Sequence, residues 1–379
     1  MDKRHKVILV LVILVAIVLV IFTGNQRFYE VVPAPLSADP QSGPAVSEQS
    51  PGYVTDPNRY FAPETAIDTT ELPNLVFKAS DSPETPLPVY QIAPKTYMFF
   101  GNIAQVDKYN RGSNGNAGFV ITSEGVVVID SLGTPRLGQR LINTITSITD
   151  KPITHLIITH NHPDHSYGAI AFRRLGGVTI ISHEGVLDYM DSETSDASVQ
   201  YRREMMPDDM VGFEMVRPDV LIGGERFSSQ TITSGDRTFV LYNTGKHHSY
   251  GDLVVYQVED KIVWISDLAF NQRTTFMGDG NSKQIIEAQD WLAEKFANAA
   301  LMVPGHGSAQ TGPFPMVEKT RSYVARLREV MARAIEEGLG MQEAIDQADF
   351  PDWHASRLYD ENHRRNAHFV YQEMEQELF

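Results

Sequence analysis

The sequence contains no cysteine. This absence excludes disulfide bonds, thiolate metal ligands, a cysteine nucleophile and a lipid anchor attached to an N-terminal cysteine. Basic charge is also scarce, because the 379 residues carry a formal net charge of -16. A chain this acidic lacks the positive surface that a nucleic-acid backbone requires, so no nucleic-acid partner is expected. Any metal site must therefore use histidine, aspartate or glutamate side chains.

One long apolar segment lies near the N-terminus, where sixteen uninterrupted apolar residues extend from Val7 to Phe22. Three basic residues precede it and one follows closely, a bias that keeps the N-terminus in the cytoplasm and exports the rest. At about 1.5 Å per residue, a helix of this length crosses most of the apolar core of a bilayer. We therefore predict a single-pass anchor over residues 1–24 in the inner (cytoplasmic) membrane, with the folded domain in the periplasm or outside the cell. A cleaved signal peptide is the alternative, although only a poor cleavage site follows the segment.

Proline is concentrated ahead of the globular part of the chain. Eleven of the 21 prolines lie between Val32 and Tyr90, among small and polar residues. This composition predicts an extended linker over residues 25–88. The apolar patterns that follow predict a folded domain over residues 89–312. A helical extension packed on that domain is predicted for residues 313–379.

Short apolar strands alternate with amphipathic helices through the predicted domain. One strand is predicted over residues 89–100 and a hairpin over residues 118–130. Thr134 is predicted to cap a helix that begins at Pro135, and another helix is predicted over residues 184–206. The alternation predicts an α/β (α+β) sandwich, with sheets in the middle and helices outside.

The most informative stretch extends from Ile153 to His165 and reads I-T-H-L-I-I-T-H-N-H-P-D-H. Its first half is the apolar run of a buried strand, and its second half is rich in metal-ligating side chains. His160 and His162 are two residues apart on extended chain, so they point the same way and can share one metal. Asp164 and His165 follow a proline that favours the first turn of a helix, so they project in another direction. Imidazole and carboxylate ligands favour zinc, with iron or manganese as alternatives.

Two metals need more ligands than this stretch supplies, and three later residues lie at the ends of apolar strands or in loops beside them. His248 lies in G-K-H-H-S-Y-G-D-L, just before an apolar strand, and Asp267 ends the strand K-I-V-W-I-S-D. His306 lies in M-V-P-G-H-G, where two glycines allow the backbone to approach closely. A carboxylate such as Asp267 has the reach and the charge to bridge two cations.

Four motifs of this chain together resemble one protein family. The His-x-His-x-Asp-His run, a later histidine before serine, an aspartate that closes a strand and a final P-G-H-G resemble the metallo-β-lactamase superfamily over about residues 89–312. The resemblance implies the αββα four-layer fold, in which two packed sheets are flanked by helices and the metals lie at one edge. Within that superfamily, the C-terminal sequence L-Y-D-E-N-H-R-R-N-A-H-F-V-Y is most similar to the quinoprotein relay-system zinc metallohydrolases.

The resemblance distributes the candidate ligands between two zinc ions. The residues implied for the first zinc are His160, His162 and His248. Those implied for the second zinc are Asp164, His165 and His306, with Asp267 between the two metals. His247 is the alternative metal ligand to His248, but the family pattern places the ligand directly before serine or threonine. The resemblance makes His247 and Asp130 supporting residues, with Asp130 accepting the N–H of a ligand imidazole.

The activity implied is that of a binuclear zinc hydrolase acting on a small molecule, in which a hydroxide between the metals attacks an ester, thioester, amide or lactam carbonyl. Asp164 would orient the hydroxide and pass its proton to the leaving group. Phe270 stands where many metallo-β-lactamases have a substrate-binding lysine, so efficient lactam hydrolysis is not expected. The pocket walls predicted by position are Tyr167, Phe270 and the segments 110–116, 205–215 and 270–276.

Two other functions are compatible with the sequence. Persulfide dioxygenases of the same superfamily use a single iron, and a non-catalytic metal-binding module would keep the fold without the chemistry. The flavodiiron pattern has glutamate where this chain has His162, which argues against that class. Metal analysis separates the hydrolase from the dioxygenase, because a dioxygenase would hold one iron and the hydrolase two zinc ions.

Overall fold

The computed structural model of this chain describes residues 53–54 and 85–377. The predicted anchor over residues 1–24 lies outside these ranges, as does most of the predicted linker over residues 25–88. Among the described residues, no helix combines the length and the apolar character that crossing a bilayer requires. Two residues of the predicted linker, Tyr53–Val54, form a short strand that pairs with the first strand of the domain.

Thirteen strands form two sheets in the described ranges. The first sheet contains, in spatial and chain order, β1 (Tyr53–Val54), β2 (Val89–Ala93), β3 (Thr96–Phe99), β4 (Ala117–Ile121), β5 (Val126–Ile129), β6 (Ile153–Ile158), β7 (Thr179–His183) and β8 (Val220–Ile222). The second sheet contains β9 (Ser229–Ser234), β10 (Arg237–Gly245), β11 (Asp252–Gln257), β12 (Ile262–Ser266) and β13 (Leu301–Pro304). Its spatial order is β13-β12-β11-β10-β9. Strands β5 to β8 pair in parallel, and β9 to β12 pair antiparallel.

Nine α-helices accompany the sheets within the part of the chain that is described. They are α1 (Pro135–Ile148), α2 (Pro163–Ser166), α3 (Ala169–Leu175), α4 (Val186–Met190), α5 (Glu193–Met205), α6 (Ser282–Lys295), α7 (Pro315–Glu336), α8 (Met341–Gln347) and α9 (Tyr359–Gln376). Helix α1 begins as predicted, because the Thr134 hydroxyl accepts a hydrogen bond from the backbone N–H of Leu137 at 3.2 Å. Pro135 occupies the first turn, where its missing N–H costs nothing.

Three apolar cores separate four layers of secondary structure. Val128 on β5 belongs to a core that includes Leu141 of α1 and Phe172 of α3. The adjacent Val127 points to the opposite face of the sheet and belongs to a core that includes Leu241 of the second sheet. A third core joins the second sheet to α6 and α7. The fold is therefore mixed α/β, with two packed sheets and helices on both outer faces, as the resemblance implied.

Two elements predicted as continuous are divided in the structure. The strand predicted over residues 89–100 is two strands, β2 and β3, because Pro94 has no N–H for the sheet and Lys95 turns the chain with φ of 61°. The helix predicted over residues 184–206 is α4 and α5, and the Ser192 side chain caps the second of these. In both cases local turn chemistry prevails over a continuous sequence pattern.

The C-terminal helices α7, α8 and α9 enclose an apolar core of their own. Tyr323, Leu327 and Val370 are buried in it. Met277, from the segment after β12, is part of the same core. The C-terminal helices therefore pack on a segment that leads away from the edge of the second sheet.

Candidate metal centre

One edge of the sandwich carries the metal-ligating side chains. His160 and His162 follow the end of β6, and Asp267 and His306 follow the ends of β12 and β13. His248 lies in the connection between β10 and β11. The end of β6 leads directly into α2, which carries Asp164 and His165 in its single turn. Side chains at the strand ends of both sheets therefore lie together at this edge.

Seven side chains form two adjacent groups of possible metal ligands. The first group contains His160, His162, His248 and Asp267. The second group contains Asp164, His165 and His306. Within each group, one ligand atom per residue lies within 4.8 Å of the others. The structure thus brings together all seven residues that were singled out in the sequence.

Asp267 contacts both groups. Its Oδ2 atom lies 3.0 Å from Nε2 of His248 and 3.3 Å from Nε2 of His306, which belong to different groups. Its Oδ1 atom lies 3.6 Å from Nε2 of His165. Gly305 makes this position possible, since a Cβ atom there would lie 2.0 Å from Oδ1 of Asp267. The carboxylate lies where a ligand shared by two cations would be needed.

Hydrogen bonds fix the orientation of the first group of imidazoles. Nδ1 of His160 lies 2.9 Å from the Ser266 hydroxyl and 3.2 Å from the Thr159 hydroxyl, so its Nε2 is directed into the centre. Nε2 of His162 lies 3.0 Å from Oδ2 of Asp279, a residue that the sequence analysis missed. Outer hydrogen bonds of this kind set which ring nitrogen a histidine offers to a metal.

The second group is held in the same way. Nδ1 of His165 lies 2.9 Å from Oδ2 of Asp130, the contact that the resemblance implied for Asp130. Nδ1 of His306 donates to the backbone carbonyl of Asn114 at 2.6 Å. The Asn114 side chain donates to Oδ2 of Asp164 at 2.8 Å. The segment 110–116, predicted as a pocket wall, thus reaches the centre through one asparagine.

Burial and charge keep most of these groups in the forms that bind cations. Burial lowers the pKa of His160 and of His306, which favours neutral imidazoles. Burial alone would raise the pKa of Asp164 and Asp267, but the neighbouring histidines outweigh it and hold both below the usual range. His162 and His165 differ, because the surrounding carboxylates overcome the effect of burial and raise the pKa of both, that of His165 to about 9. The site therefore concentrates negative charge, which a divalent cation would balance.

The unpaired atoms of the first group test whether a metal fits. Nε2 of His160, both ring nitrogens of His248 and Oδ1 of Asp267 are buried without a hydrogen-bond partner among the described residues. A buried polar atom left unpaired costs about 1–3 kcal/mol. Imidazole nitrogen and carboxylate oxygen are ligands that suit divalent metals, zinc in particular. The side chains present therefore fit bound divalent cations.

His247 lies beside the centre but belongs to neither group. Its Nε2 atom lies 3.0 Å from the Thr244 hydroxyl, and burial lowers its pKa to about 4. Oδ2 of Asp252 accepts the backbone N–H groups of His247 and His248 at 3.0 and 2.9 Å. His247 therefore helps to shape the turn that presents His248, which is a supporting position.

Two aromatic residues predicted as pocket walls are instead packed behind the site. Tyr167 is buried, and its hydroxyl lies 3.0 Å from that of Tyr189. Phe270 is buried against the imidazoles of His248 and His306, with ring centroids 5.8 and 5.9 Å apart. Neither residue is among those that line the cleft described below. They were predicted by position in the sequence, which does not show which way a ring packs.

The segment 205–215, which was also predicted as a pocket wall, lies away from the cleft. Phe213 packs against the ring of Tyr167 at 4.5 Å, and Met210 belongs to the same small apolar cluster. Phe213 and Met215 line a separate surface cavity with residues of α5. This segment therefore packs against Tyr167, which follows α2, and none of its residues lines the cleft over the candidate ligands.

A cleft of about 250 Å³ opens over the two groups. Besides five of the seven ligand residues, it is lined by residues from elements far apart in the chain. Those that the sequence analysis missed include Arg202 from α5, Asp279 from the segment after β12, and Asn362 and Arg365 from α9. Arg273 and Phe276, in the predicted wall 270–276, also line it. No local motif marks the missed residues, because only the tertiary fold brings them together.

A two-sheet fold with a His-x-His-x-Asp-His turn at one sheet edge defines a known class of metal-binding proteins. The family model described as the metallo-beta-lactamase superfamily matches residues 110–309, which is more than half of this chain and includes both groups of ligands. The chain belongs to the metallo-beta-lactamase superfamily.

The curated relatives of this chain are distant. A metallo-beta-lactamase type 2 from Bacillus sp. (strain 170) is 25% identical over 192 residues, which are 49% of this chain and 64% of that protein. A linear primary-alkylsulfatase from Pseudomonas sp. (strain ATCC 19151) is 21% identical over 256 residues, which are 60% of this chain and 48% of that protein. This chain thus spans less than two thirds of the length of either relative.

A solved structure with the same fold is the inverting sec-alkylsulfatase Pisa1 from Pseudomonas sp.. Its TM-score is 0.61 at 18% identity, over 75% of this chain and 49% of that one. At this identity the similarity establishes the shared fold.

Proposed function

We propose that this chain is a metal-dependent hydrolase that binds two divalent cations, with zinc preferred over iron or manganese. The observation that carries the proposal is the pair of adjacent buried ligand groups, which meet at Asp267 beneath a single cleft. The residues that would hold the first cation are His160, His162 and His248. Those that would hold the second are Asp164, His165 and His306. Asp267 would bind between the two.

Two adjacent dications would supply a water of lowered pKa and a Lewis acid for the substrate oxygen. The protein's own contribution centres on Asp164, whose carboxylate lines the cleft. Asn114 and His306 approach its Oδ2 atom at 2.8 and 3.4 Å and so fix its position. We assign to Asp164 the orientation of the attacking water and the transfer of its proton to the leaving group.

The reaction proposed is hydrolysis of an ester, thioester, amide or lactam of a small molecule. Relatives named as lactamases and as an alkylsulfatase support hydrolysis in general, and they add sulfate esters to the bonds to be tested. Efficient lactam turnover is not proposed, because Phe270 is buried against His248 and His306 and offers no cation to a substrate carboxylate.

A hydrolysis panel on the purified full-length chain tests the proposal. The panel would contain esters, thioesters, lactones, lactams and sulfate esters, each assayed with and without a chelator. We expect turnover of at least one class that the chelator abolishes and added zinc restores. Zinc-loaded protein that cleaves nothing would contradict the hydrolase and favour a non-catalytic metal-binding module. One iron per chain together with persulfide oxidation would favour the dioxygenase.

We further propose a closer relationship to the quinoprotein relay-system zinc metallohydrolases. The C-terminal sequence supports it, since this sequence forms α9 and two of its residues, Asn362 and Arg365, line the cleft. The apolar segment from Val7 to Phe22 supports an anchor in the inner membrane, with the site in the periplasm or outside the cell. Membrane fractionation with protease digestion of intact cells checks the placement, and a site protected in the cytoplasm would contradict it.

A further inference from the structure

Two buried arginines beside the candidate metal ligands have no counter-ion of their own among the residues that the structure describes. The residues Arg202 and Arg273 are only 4% and 9% exposed, and both line the cleft. Their hydrogen bonds to the carbonyls of Gly133 and Thr274 are long, at 3.4 and 3.5 Å. Neither guanidinium forms an ion pair with any carboxylate in the described part of the chain. Because buried charges are normally paired, these two lack the anion that their burial requires.

Aromatic rings hold both arginines in place. The guanidinium of Arg202 lies 5.7 Å from the ring centroid of Tyr167, and that of Arg273 lies 5.1 Å from the ring centroid of Phe270. These rings stabilise the cations without supplying negative charge. Tyr167 and Phe270, which do not reach the cleft themselves, thus position the two side chains that do.

The carboxylates that act electrostatically on these arginines are candidate metal ligands. Asp164 acts electrostatically on both guanidinium groups, and Asp267 acts on Arg273 as well. Cations bound to these two aspartates would offset their charge. The other acid on the cleft, Asp279, is already hydrogen-bonded to His162. Among the described residues, no carboxylate that lines the cleft is therefore left to pair with the arginines.

A third arginine adds to the positive charge. Arg365 of α9 lies at the cleft, with its guanidinium 4.9 Å from the ring centroid of Phe276. The cleft is lined by three arginines and three aspartates, so two bound dications would give it a net positive charge on a chain whose formal net charge is -16. Such local charge attracts anionic ligands to a site on an otherwise acidic protein.

We propose that Arg202 and Arg273 bind an anionic group of the substrate, a carboxylate or a sulfate, beside Asp164. The inference rests on the proposed hydrolase function and names its substrate class, an anionic small molecule. A guanidinium donates two parallel N–H groups to an oxyanion, which gives both affinity and orientation. This anion-binding site would take the role of the lysine that many metallo-β-lactamases have at the position of Phe270. It is built from α5 and the segment after β12.

Matched substrates that differ only in charge test this assignment on the full-length, zinc-loaded chain. One pair is a 4-nitrophenyl ester with a terminal carboxylate and the methyl ester of the same acid, and 4-nitrophenyl sulfate forms a second arm. We expect the wild-type protein to hydrolyse the anionic ester faster than its methyl ester. Comparison of this ester with 4-nitrophenyl sulfate shows whether the site prefers a carboxylate or a sulfate. Arg202→Gln and Arg273→Gln should each lower the preference for the anionic ester about 10- to 100-fold, mainly through KM.

Control variants and a binding assay complete the experiment. Arg203→Gln, which removes an exposed arginine adjacent to Arg202, should leave the charge preference unchanged, and Arg273→Lys should restore part of it. Calorimetry with inorganic sulfate and with acetate measures anion binding without turnover. A charge preference that persists in both glutamine variants would overturn the inference. Anion binding that both variants lose, without hydrolysis of any substrate, would refute the hydrolase alone, whereas hydrolysis with no charge preference would refute the anion site alone.

Discussion

Nδ1 of His165 lies 2.9 Å from Oδ2 of Asp130, and this contact joins the end of β5 to the ligand-bearing turn of α2. Asp130 also accepts hydrogen bonds from the backbone N–H and the hydroxyl of Thr159, at 2.8 and 3.0 Å. An imidazole held at Nδ1 offers Nε2 to the centre. Metal-binding histidines are commonly oriented by a carboxylate in this manner.

Replacing the acceptor should weaken the centre without removing a ligand. In Asp130→Asn, an NH2 group would face at least one of the three donors that the carboxylate now accepts. We expect zinc affinity to fall by about 10- to 100-fold, measured by competition with a chromogenic chelator. Asp150→Asn, at an exposed position, is the matched control and should bind zinc as wild type does. Equal zinc affinity in the two variants would show that Asp130 does not support the metal centre.

Gly305 offers a test that leaves every ligand side chain intact. The Cβ atom of Gly305→Ala would lie 2.0 Å from Oδ1 of Asp267 and 3.0 Å from Cε1 of His165. Asp267 must then move, so we expect zinc affinity to fall at least tenfold, as it does when the support of a ligand is lost. Gly340→Ala is the control, because its nearest neighbour is a side-chain atom at 3.8 Å. A Gly305→Ala protein with wild-type zinc content under chelator challenge would contradict the shared position of Asp267.

The C-terminal helix should matter for substrate binding as well as for stability. Asn366 of α9 is buried, accepts the backbone N–H of Met277 at 3.1 Å and donates to the carbonyl of Thr275 at 2.8 Å. Asn366→Ala leaves both groups unpaired, so the free energy of unfolding should fall by about 1–3 kcal/mol. The freed segment carries Arg273 and Asp279, so KM should also rise. Gln372→Ala, exposed on the same helix, should change neither quantity in denaturation and kinetic assays.

A buried histidine in the C-terminal core predicts sensitivity to acid. Nε2 of His363 donates to the carbonyl of Ala348, and Nδ1 accepts from the Tyr323 hydroxyl at 3.0 Å. Burial lowers the pKa of His363 below its ordinary value of 6.5. The unfolded chain therefore binds a proton at a higher pH than the folded chain does, so stability is lost as pH falls below about 6.5.

The glutamine variant isolates this contribution. His363→Gln keeps a donor and an acceptor but cannot titrate, so its free energy of unfolding should fall less between pH 7 and pH 5 than that of the wild type. Denaturant titrations at several pH values measure the difference. His368→Gln on the same helix is the control. Identical pH dependence in wild type and His363→Gln would show that this histidine does not carry the effect.

The ligand set could be predicted from the sequence because each ligand lies in a local motif. The turn from His160 to His165 and the P-G-H-G around His306 place polar ligands directly after apolar strands, where few other roles fit. The layered fold followed from the same strands, since an apolar run such as Val126–Ile129 is buried on both faces. Where an element was misjudged, as between β2 and β3, Pro94 was visible in the sequence, but the positive φ of Lys95 that turns the chain was not.

Much of the cleft lining could not be predicted, because it depends on contacts between distant elements. Arg202 lies in a polar helix, and the sequence does not indicate that its side chain turns inward beneath the site. Arg365 reaches the cleft only because α9 packs against the segment after β12. Backbone geometry adds to the difficulty, since Asp130 and Ser266 adopt φ of 61° and 49° at the strand ends that position the ligands.

The most direct test of the account is to measure metal content and turnover together in wild type and in Asp164→Ala. We predict close to two dications per wild-type chain by elemental analysis, with hydrolysis that a chelator abolishes. Asp164→Ala should lose metal from the second group and lower kcat by about 10²- to 10⁴-fold. An Asp164→Ala protein that keeps the full metal content and the full turnover of the wild type would contradict the account.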